Sequence, residues 1–144
     1  MPTSFRFLDD VALADLAFEA EGDSAEALVQ AATDALMHAM ADPGTVGASW
    51  VRRFERRDAD LAALLFDWLS DVVYWKDAAG VVFSRVELML TREAEQWTLT
   101  ATLFGEPVDH TKQQLRDDVK GVTKHLYQVT ERDGHWYARV VLDV

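Results

Sequence analysis

The spacing of apolar residues along the chain predicts two helices. Apolar side chains recur at intervals of three and four residues in two segments, the pattern of a helix with one buried face. They are Leu28, Ala31, Ala32, Ala35, Leu36 and Ala39 in the first segment, and Leu61, Leu64, Leu65, Trp68, Leu69 and Val72 in the second. We expect Asp23 to cap the first helix, with Glu26 reaching back to it, and Asp58 to cap the second. Pro43 cannot continue the first helix, and the second should end near residues 74–76.

A period of two residues predicts strands before, between and after these helices. The predicted strands are residues 5–8, 11–21, 51–57, 81–90, 97–103, 119–130 and 135–144. The Asp133-Gly134 pair predicts a tight hairpin between the last two. Two helices beside about seven strands predict an α+β fold, a mostly antiparallel sheet with the two helices packed on one face. A length of 144 residues fits one domain over residues 1–144.

Charge and composition narrow the classes of function. The chain has 14 Lys and Arg against 25 Asp and Glu, a formal net charge of −11. That balance argues against autonomous nucleic-acid binding and against attraction to an anionic membrane. The absence of cysteine excludes disulfides, thiolate metal sites and a cysteine nucleophile. With no long apolar run and no signal-peptide pattern at the start, we expect a cytoplasmic protein.

Carboxylates placed in apolar strands are the strongest candidates for chemistry. Asp15 interrupts the apolar pattern of the second predicted strand, and Asp143 stands next to last, beside the terminal carboxylate of Val144. If the two strands are neighbours, three carboxylates converge, and such a cluster needs a hard cation or a basic side chain. Alternatively, each aspartate ends its strand in solvent.

Other familiar catalytic arrangements are missing from the sequence. The histidines at positions 38, 110, 125 and 135 show no metal-ligand spacing, and no nucleophile elbow or glycine-rich phosphate loop occurs. Lys120 follows Asp117 and Asp118, which predicts a surface lysine paired with one of these aspartates.

Eight segments, taken in order, resemble the archease family, the accessory proteins of the tRNA-splicing RNA ligase. They are Phe7-Leu8-Asp9, Ala14-Asp15-Leu16-Ala17-Phe18, residues 23–28, Met40-Ala41-Asp42, residues 60–69, Gly105-Glu106-Pro107, residues 119–125 and residues 140–144. The second of these matches the family's His-Thr-Ala-Asp motif at the entry of a strand, and the seventh matches its V-K-A-x-T-Y-H segment.

The matches also show departures from the family pattern. Aligned backward from Asp15, the motif histidine falls on Ala12 and the threonine on Leu13; aligned forward from Leu8, the histidine falls on Asp10. In the later segment Lys124 replaces the family's tyrosine, whereas the histidine is kept. The chain therefore resembles a divergent branch.

The resemblance implies a set of functional residues. It implies a divalent cation, Ca²⁺ with Mg²⁺ or Mn²⁺ as alternatives, bound by Asp15, Asp143 and Val144. Lys120 matches the family's functionally important lysine, and with His125 and Asp10 it is assigned to ligase activation.

The resemblance also implies a function without catalysis of its own. The expected partner is an RNA-splicing ligase, which the protein would help to form its guanylylated histidine from GTP, so that the ligase turns over repeatedly in tRNA splicing or RNA repair. Two alternatives are a metal-dependent hydrolase using Asp15 and Asp143, and a non-catalytic interaction module whose site has decayed. The hydrolase lacks an obvious group to activate a nucleophile.

Overall fold

The computed structural model describes residues 4–8 and 15–144, and this part of the chain contains two helices and seven strands. The elements in chain order are β1 (Ser4–Leu8), β2 (Asp15–Gly22), α1 (Ala25–Met40), β3 (Trp50–Asp58), α2 (Leu61–Ala79), β4 (Val81–Glu93), β5 (Gln96–Pro107), β6 (Gly121–Arg132) and β7 (His135–Asp143). The α+β class and the number of strands are confirmed. Residues 11–14 of the strand predicted over 11–21 lie outside the described residues.

The strands form two antiparallel sheets, so the prediction of one seven-stranded sheet is wrong. One sheet has four strands in the order β1-β2-β7-β6, and the other has three in the order β3-β5-β4. The helices do not share one sheet face: α1 contacts β1, β2 and β7 of the first sheet and β4 of the second, while α2 contacts β6 and all three strands of the second.

The division follows from how the chain crosses between sheets. The β4–β5 and β6–β7 hairpins are local, and each has a two-residue turn with positive φ at both positions, Ala94-Glu95 and Asp133-Gly134. Such turns match the twist of paired strands. The connection between β5 and β6, residues 108–120, then carries the chain from one sheet to the other. Periodicity identifies each strand but carries no information on this non-local pairing.

The N-terminal cap of each helix is one or two residues later in the chain than the sequence predicted. Ser24 caps α1, and its hydroxyl accepts a hydrogen bond from the Ala27 amide at 3.0 Å. Glu26 instead accepts a hydrogen bond from the Leu90 amide of β4 at 2.9 Å, which ties the first turn of α1 to the second sheet. Asp60 caps α2. At its other end α2 continues to Ala79, and Gly80 closes it in the left-handed conformation that glycine adopts without strain.

A buried hydrogen bond between the helices organises the core. Trp68 of α2 and Thr33 of α1 are fully buried, and Trp68 Nε1 donates to Thr33 Oγ1 at 2.9 Å. The threonine hydroxyl in turn donates to the Val29 carbonyl at 2.7 Å. Since a buried polar group needs a partner, this chain of bonds fixes which faces of the helices meet.

Close backbone packing requires glycine at position 105. A Cβ there would lie 2.1 Å from the Val82 carbonyl oxygen, at the bulge in the β4–β5 ladder between Phe83 and Arg85. No side chain fits at that distance. Neither helix of the described part is long and apolar enough to cross a membrane.

We expect Thr33→Val to destabilise the fold by about 1–3 kcal/mol, because the isosteric change leaves the Trp68 N–H buried without a partner. Urea unfolding measures the difference. Thr100→Val, on the solvent side of the second sheet, is the matched control and should change stability by no more than about 0.5 kcal/mol. Equal stability of Thr33→Val and the parent protein would contradict the role given to this bond.

Candidate functional site

The pairing of β2 with β7 places Asp15 directly opposite Asp143. Asp15 is half-buried and Asp143 is exposed, at the end of the sheet where β7 leads into Val144. Side chains of directly opposed residues have Cβ atoms about 4.5–5.5 Å apart, and like charges in that arrangement repel. The two strands are therefore neighbours, as the convergence of carboxylates requires.

Lys120 is joined to the same end of the sheet through β6. Gly121 is the cross-strand partner of Asp143, and the Lys120 amide donates to the Asp143 carbonyl at 2.7 Å. The Lys120 side chain is exposed. The structure thus brings together Asp15, Asp143, Val144 and the backbone of Lys120.

The connection that delivers Lys120 is fastened to α1 by its backbone. The Arg116 amide donates to the Met40 carbonyl at 2.9 Å, and the Asp117 amide donates to the Ala39 carbonyl at 3.0 Å. Val119 is fully buried. These contacts hold the last residues of the connection, 116–120, against the core, and we call this segment the strap.

The first part of the connection is fastened by Glu106. Its carboxylate accepts a hydrogen bond from Gln113 Nε2 at 3.0 Å, pairs with Lys112 Nζ at 3.0 Å, and accepts the Gly47 amide. These bonds lower the pKa of Glu106 from 4.5 to about 2. A Cβ at Gly47 would lie 2.7 Å from the Glu106 carboxylate, so the approach needs glycine.

A buried lysine lies beneath the strap. Lys76, in the last turn of α2, is only 8% exposed, and its Nζ lies 2.8 Å from the carboxylates of both Asp118 and Asp77. Burial alone would lower the pKa of Lys76, but the bonds to the two aspartates outweigh it and the pKa is raised. The bond from Lys76 also lowers the pKa of Asp118, with a smaller contribution from the charge of Lys120.

Asp118 pairs with Lys76, so the prediction that Lys120 pairs with Asp117 or Asp118 is wrong in the described part of the chain. The reason is the position of Lys76 on α2. It follows Leu65, Leu69 and Val72 on the buried face of the helix, where a charged ammonium group needs carboxylate partners. A lysine in an apolar stripe is the signal by which sequence reasoning could have found this residue, and it was missed.

A groove of about 570 Å³ opens beside Lys120, between α2 and the start of β6. Its lining residues are Ser70, Val73, Tyr74, Asp77, Ala78, Lys120, Gly121 and Val122. Tyr74 is 62% exposed there. The lysine thus borders a cavity with an aromatic wall.

Of the remaining predicted residues, only His125 lies in the described part of the chain. His125 is exposed in the bulge of β6, where the ladder to β7 is interrupted between Thr123 and Gln128, and its amide donates to Thr123 Oγ1 at 3.2 Å. Its neighbour Lys124 lies over the Phe66 ring of α2 at 3.9 Å. Asp10, with Ala12 and Leu13 of the alternative alignment, lies outside the described residues.

The predicted cation site has a suitable set of donor atoms. Asp15, Asp143 and a main-chain oxygen of Val144 offer hard oxygen ligands of the kind that Ca²⁺, Mg²⁺ and Mn²⁺ take. Within residues 4–8 and 15–144, no three His, Asp or Glu side chains are grouped to hold a metal. The predicted set has only two such side chains, and metal binding stays a prediction.

Comparison with known proteins identifies the relatives of this chain. The Archease protein family matches residues 5–144. The protein archease of Methanothermobacter thermautotrophicus is 33% identical over 140 residues, which cover 97% of this chain and 98% of that protein. The solution structure of Methanobacterium thermoautotrophicum protein 1598 has a TM-score of 0.82 and 33% identity, over 97% of this chain and 98% of that one.

A crystal structure from Thermotoga maritima, described as an archease and possible chaperone, has a TM-score of 0.63. It covers 96% of this chain and 98% of its own, at 20% identity, and supports the fold alone.

We expect Glu106→Gln to reduce stability above about pH 4.5, and the difference from the parent protein to shrink as the pH falls from about 4.5 to 2. The sign follows because the pKa of Glu106 is lower in the folded protein than in the unfolded chain. The ionised carboxylate therefore stabilises the fold fully above about pH 4.5, and this stabilisation is lost as the pH falls toward about 2. Urea unfolding of both proteins between pH 2 and 6 measures it. A difference that stays constant across this range would contradict the role of Glu106.

Proposed function

This chain belongs to the archease family, and from that premise we propose that it is an accessory protein of an RNA-splicing ligase, with no catalysis of its own. In this proposal it promotes guanylylation of the ligase and so allows multiple turnovers in tRNA splicing or RNA repair. The observation that supports the proposal most directly is the register that sets Asp15 against Asp143, with Lys120 hydrogen-bonded to the same residue.

The opposed carboxylates are the proposed cation site. Asp15, Asp143 and Val144 would hold a divalent ion, most simply Ca²⁺, because oxygen donors suit it and because two facing aspartates gain from neutralisation. A bound ion would supply positive charge at the end of the sheet. The chain's own residues supply the rest: β2 and β7 hold the two aspartates opposite each other, and the strap holds the backbone of Lys120 at the same end of the sheet.

Charge supports a protein partner over direct binding of RNA. A net charge of −11 opposes attraction to a phosphate backbone but favours docking on the basic surface that an RNA ligase needs. The exposed lysine and its groove then lie on a face that the partner can reach. The assignment of His125 and Asp10 to ligase activation stays a prediction.

The test is multiple-turnover RNA ligation by the RNA ligase of the same organism, with and without this protein. We expect stimulation at substoichiometric ligase, an increase in the guanylylated ligase, and inhibition of the effect by a chelator. A ligase that turns over equally fast without the protein would overturn the proposal. Hydrolysis of nucleotide by the protein alone would favour the hydrolase instead.

We expect Asp15→Ala and Lys120→Ala to abolish stimulation of the ligase without unfolding the protein. Loss of Asp15 removes one of two facing charges, and Lys120 is exposed, where alanine changes stability by no more than about 0.5 kcal/mol. Melting with and without Ca²⁺ separates the two: the ion should raise the Tm of Lys120→Ala as in the parent protein and leave that of Asp15→Ala unchanged.

Two other outcomes would contradict the roles given to Asp15 and Lys120. If both variants melt normally and still stimulate the ligase, activation does not depend on these residues. If both unfold, Asp15 and Lys120 serve the fold.

We expect residues added after Val144 to impair stimulation more than residues added before Met1. An extension converts the carboxyl group of Val144 into an amide, which is a poorer ligand for a hard cation, and crowds the site. The two extended proteins are compared in the guanylylation assay at equal concentration. Equal activities would count against Val144 as a ligand.

A further inference from the structure

The ion pair between Lys76 and Asp118 ties the strap to the end of α2. Lys76 Nζ is 2.8 Å from Asp118 Oδ1, and the lysine is 8% exposed whereas the Asp118 side chain is 79% exposed. One partner is therefore fixed within a helix, and the other belongs to a surface connection that has no secondary structure. A bond of this kind restrains the connection more than it restrains the helix.

The position of Asp118 in the strap determines what the bond restrains. Two residues later, the Lys120 amide donates to the Asp143 carbonyl, and between them Val119 is fully buried. Asp118 is thus held by a side-chain bond, Val119 by packing and Lys120 by a backbone hydrogen bond. Of these three contacts, only the first is an ion pair between side chains.

We propose that Lys76 is a positioning residue for Lys120: by holding Asp118, it fixes the strap so that the Lys120 side chain is presented in the groove beside Tyr74. This inference rests on the proposed function, because it assigns to Lys76 a part in the same ligase activation. It adds a residue of α2 that the family resemblance does not include.

Packing alone does not explain why position 76 is a lysine. The same stripe of α2 places Leu65, Leu69 and Val72 in the core, and an apolar residue after them would pack without the cost of burying a charge. Removing the charge of Lys76 leaves Asp118 solvated, because its side chain is 79% exposed, and so leaves no buried charge without a partner. What the charge at Lys76 adds is a directed bond to the strap, which an apolar side chain cannot make.

The second carboxylate on Lys76 provides a matched control. Asp77 is also 2.8 Å from Nζ, but both residues of this pair lie on α2, so the bond does not tie the strap to the helix. Removal of Asp77 therefore takes one charged bond from the same ammonium group without releasing Lys120. Because Asp77 also lines the groove beside Lys120, it is a control for the exchange measurement only. Asp118→Asn and Asp77→Asn remove equal charge from groups that are both mostly exposed.

The experiment compares hydrogen exchange of the Lys120 amide with ligase activation in the full chain. We expect Asp118→Asn to speed exchange of that amide by about 10-fold, the effect of losing one charge-assisted hydrogen bond, and to lower maximal stimulation with the half-saturating protein concentration unchanged. Asp77→Asn should leave exchange of the Lys120 amide near the parent value. Lys76→Met should reproduce Asp118→Asn while melting no lower than the parent protein, and the double variant should add nothing further.

Two results would overturn the inference: parent-like exchange and stimulation in Asp118→Asn, or equally fast exchange of the Lys120 amide in Asp77→Asn. Because Asp118 is exposed, its variant keeps the test valid even if Lys76→Met fails to fold. If the parent protein itself does not stimulate the ligase, the proposed function fails. The exchange rates alone then decide whether Lys76 positions Lys120.

Discussion

The antiparallel register of β2 against β7 is the constraint on which the rest of the molecule depends. It joins the N-terminal and C-terminal parts of the chain in the middle of the four-stranded sheet. The same register that opposes Phe18 to Val140 in the core opposes Asp15 to Asp143 at the end of the sheet. A slip of one residue would turn every apolar side chain of β2 to the other face. Core packing therefore also fixes the position of Asp15 opposite Asp143, and no further contact is needed to align them.

The connection between β5 and β6 brings the backbone of Lys120 to the end of the sheet where Asp15 faces Asp143. It is long for a connection without secondary structure, a length at which loops are commonly functional. Glu106 fastens its beginning, and the backbone of α1 fastens its middle. Lys76 and the burial of Val119 fasten its end. These anchors hold the connection against the core, and the proposed role of Lys120 would use the rigidity that they provide.

Local sequence patterns were enough to predict the individual helices and strands. They did not predict how the strands pair, because pairing depends on contacts between residues far apart in the chain. The Asp133-Gly134 turn and the apolar stripes of both helices follow from residues close together in the chain, and the structure confirms them. The split into two sheets depends on which hairpin joins β2, a choice between distant partners of similar pattern. The pairing of Lys76 with Asp118 spans 42 residues and was beyond the same reasoning. Asp15 and Asp143 were the exception, because a charge inside an apolar strand is visible without knowing its partner.

The acidic pair also shows how such a site is related to the stability of the sheet. Asp15 and Asp143 are acidic residues directly opposite each other, and like charges in that arrangement destabilise a sheet. The neighbouring cross-strand pair, Leu16 with Leu142, contributes burial that offsets part of this repulsion. The remainder favours any state in which positive charge reaches the pair, whether a cation or a basic partner surface. Under the proposed function, a cation or basic surface bound at Asp15 and Asp143 would relieve this repulsion and so stabilise the sheet, while the strap holds the backbone of Lys120 at the same end.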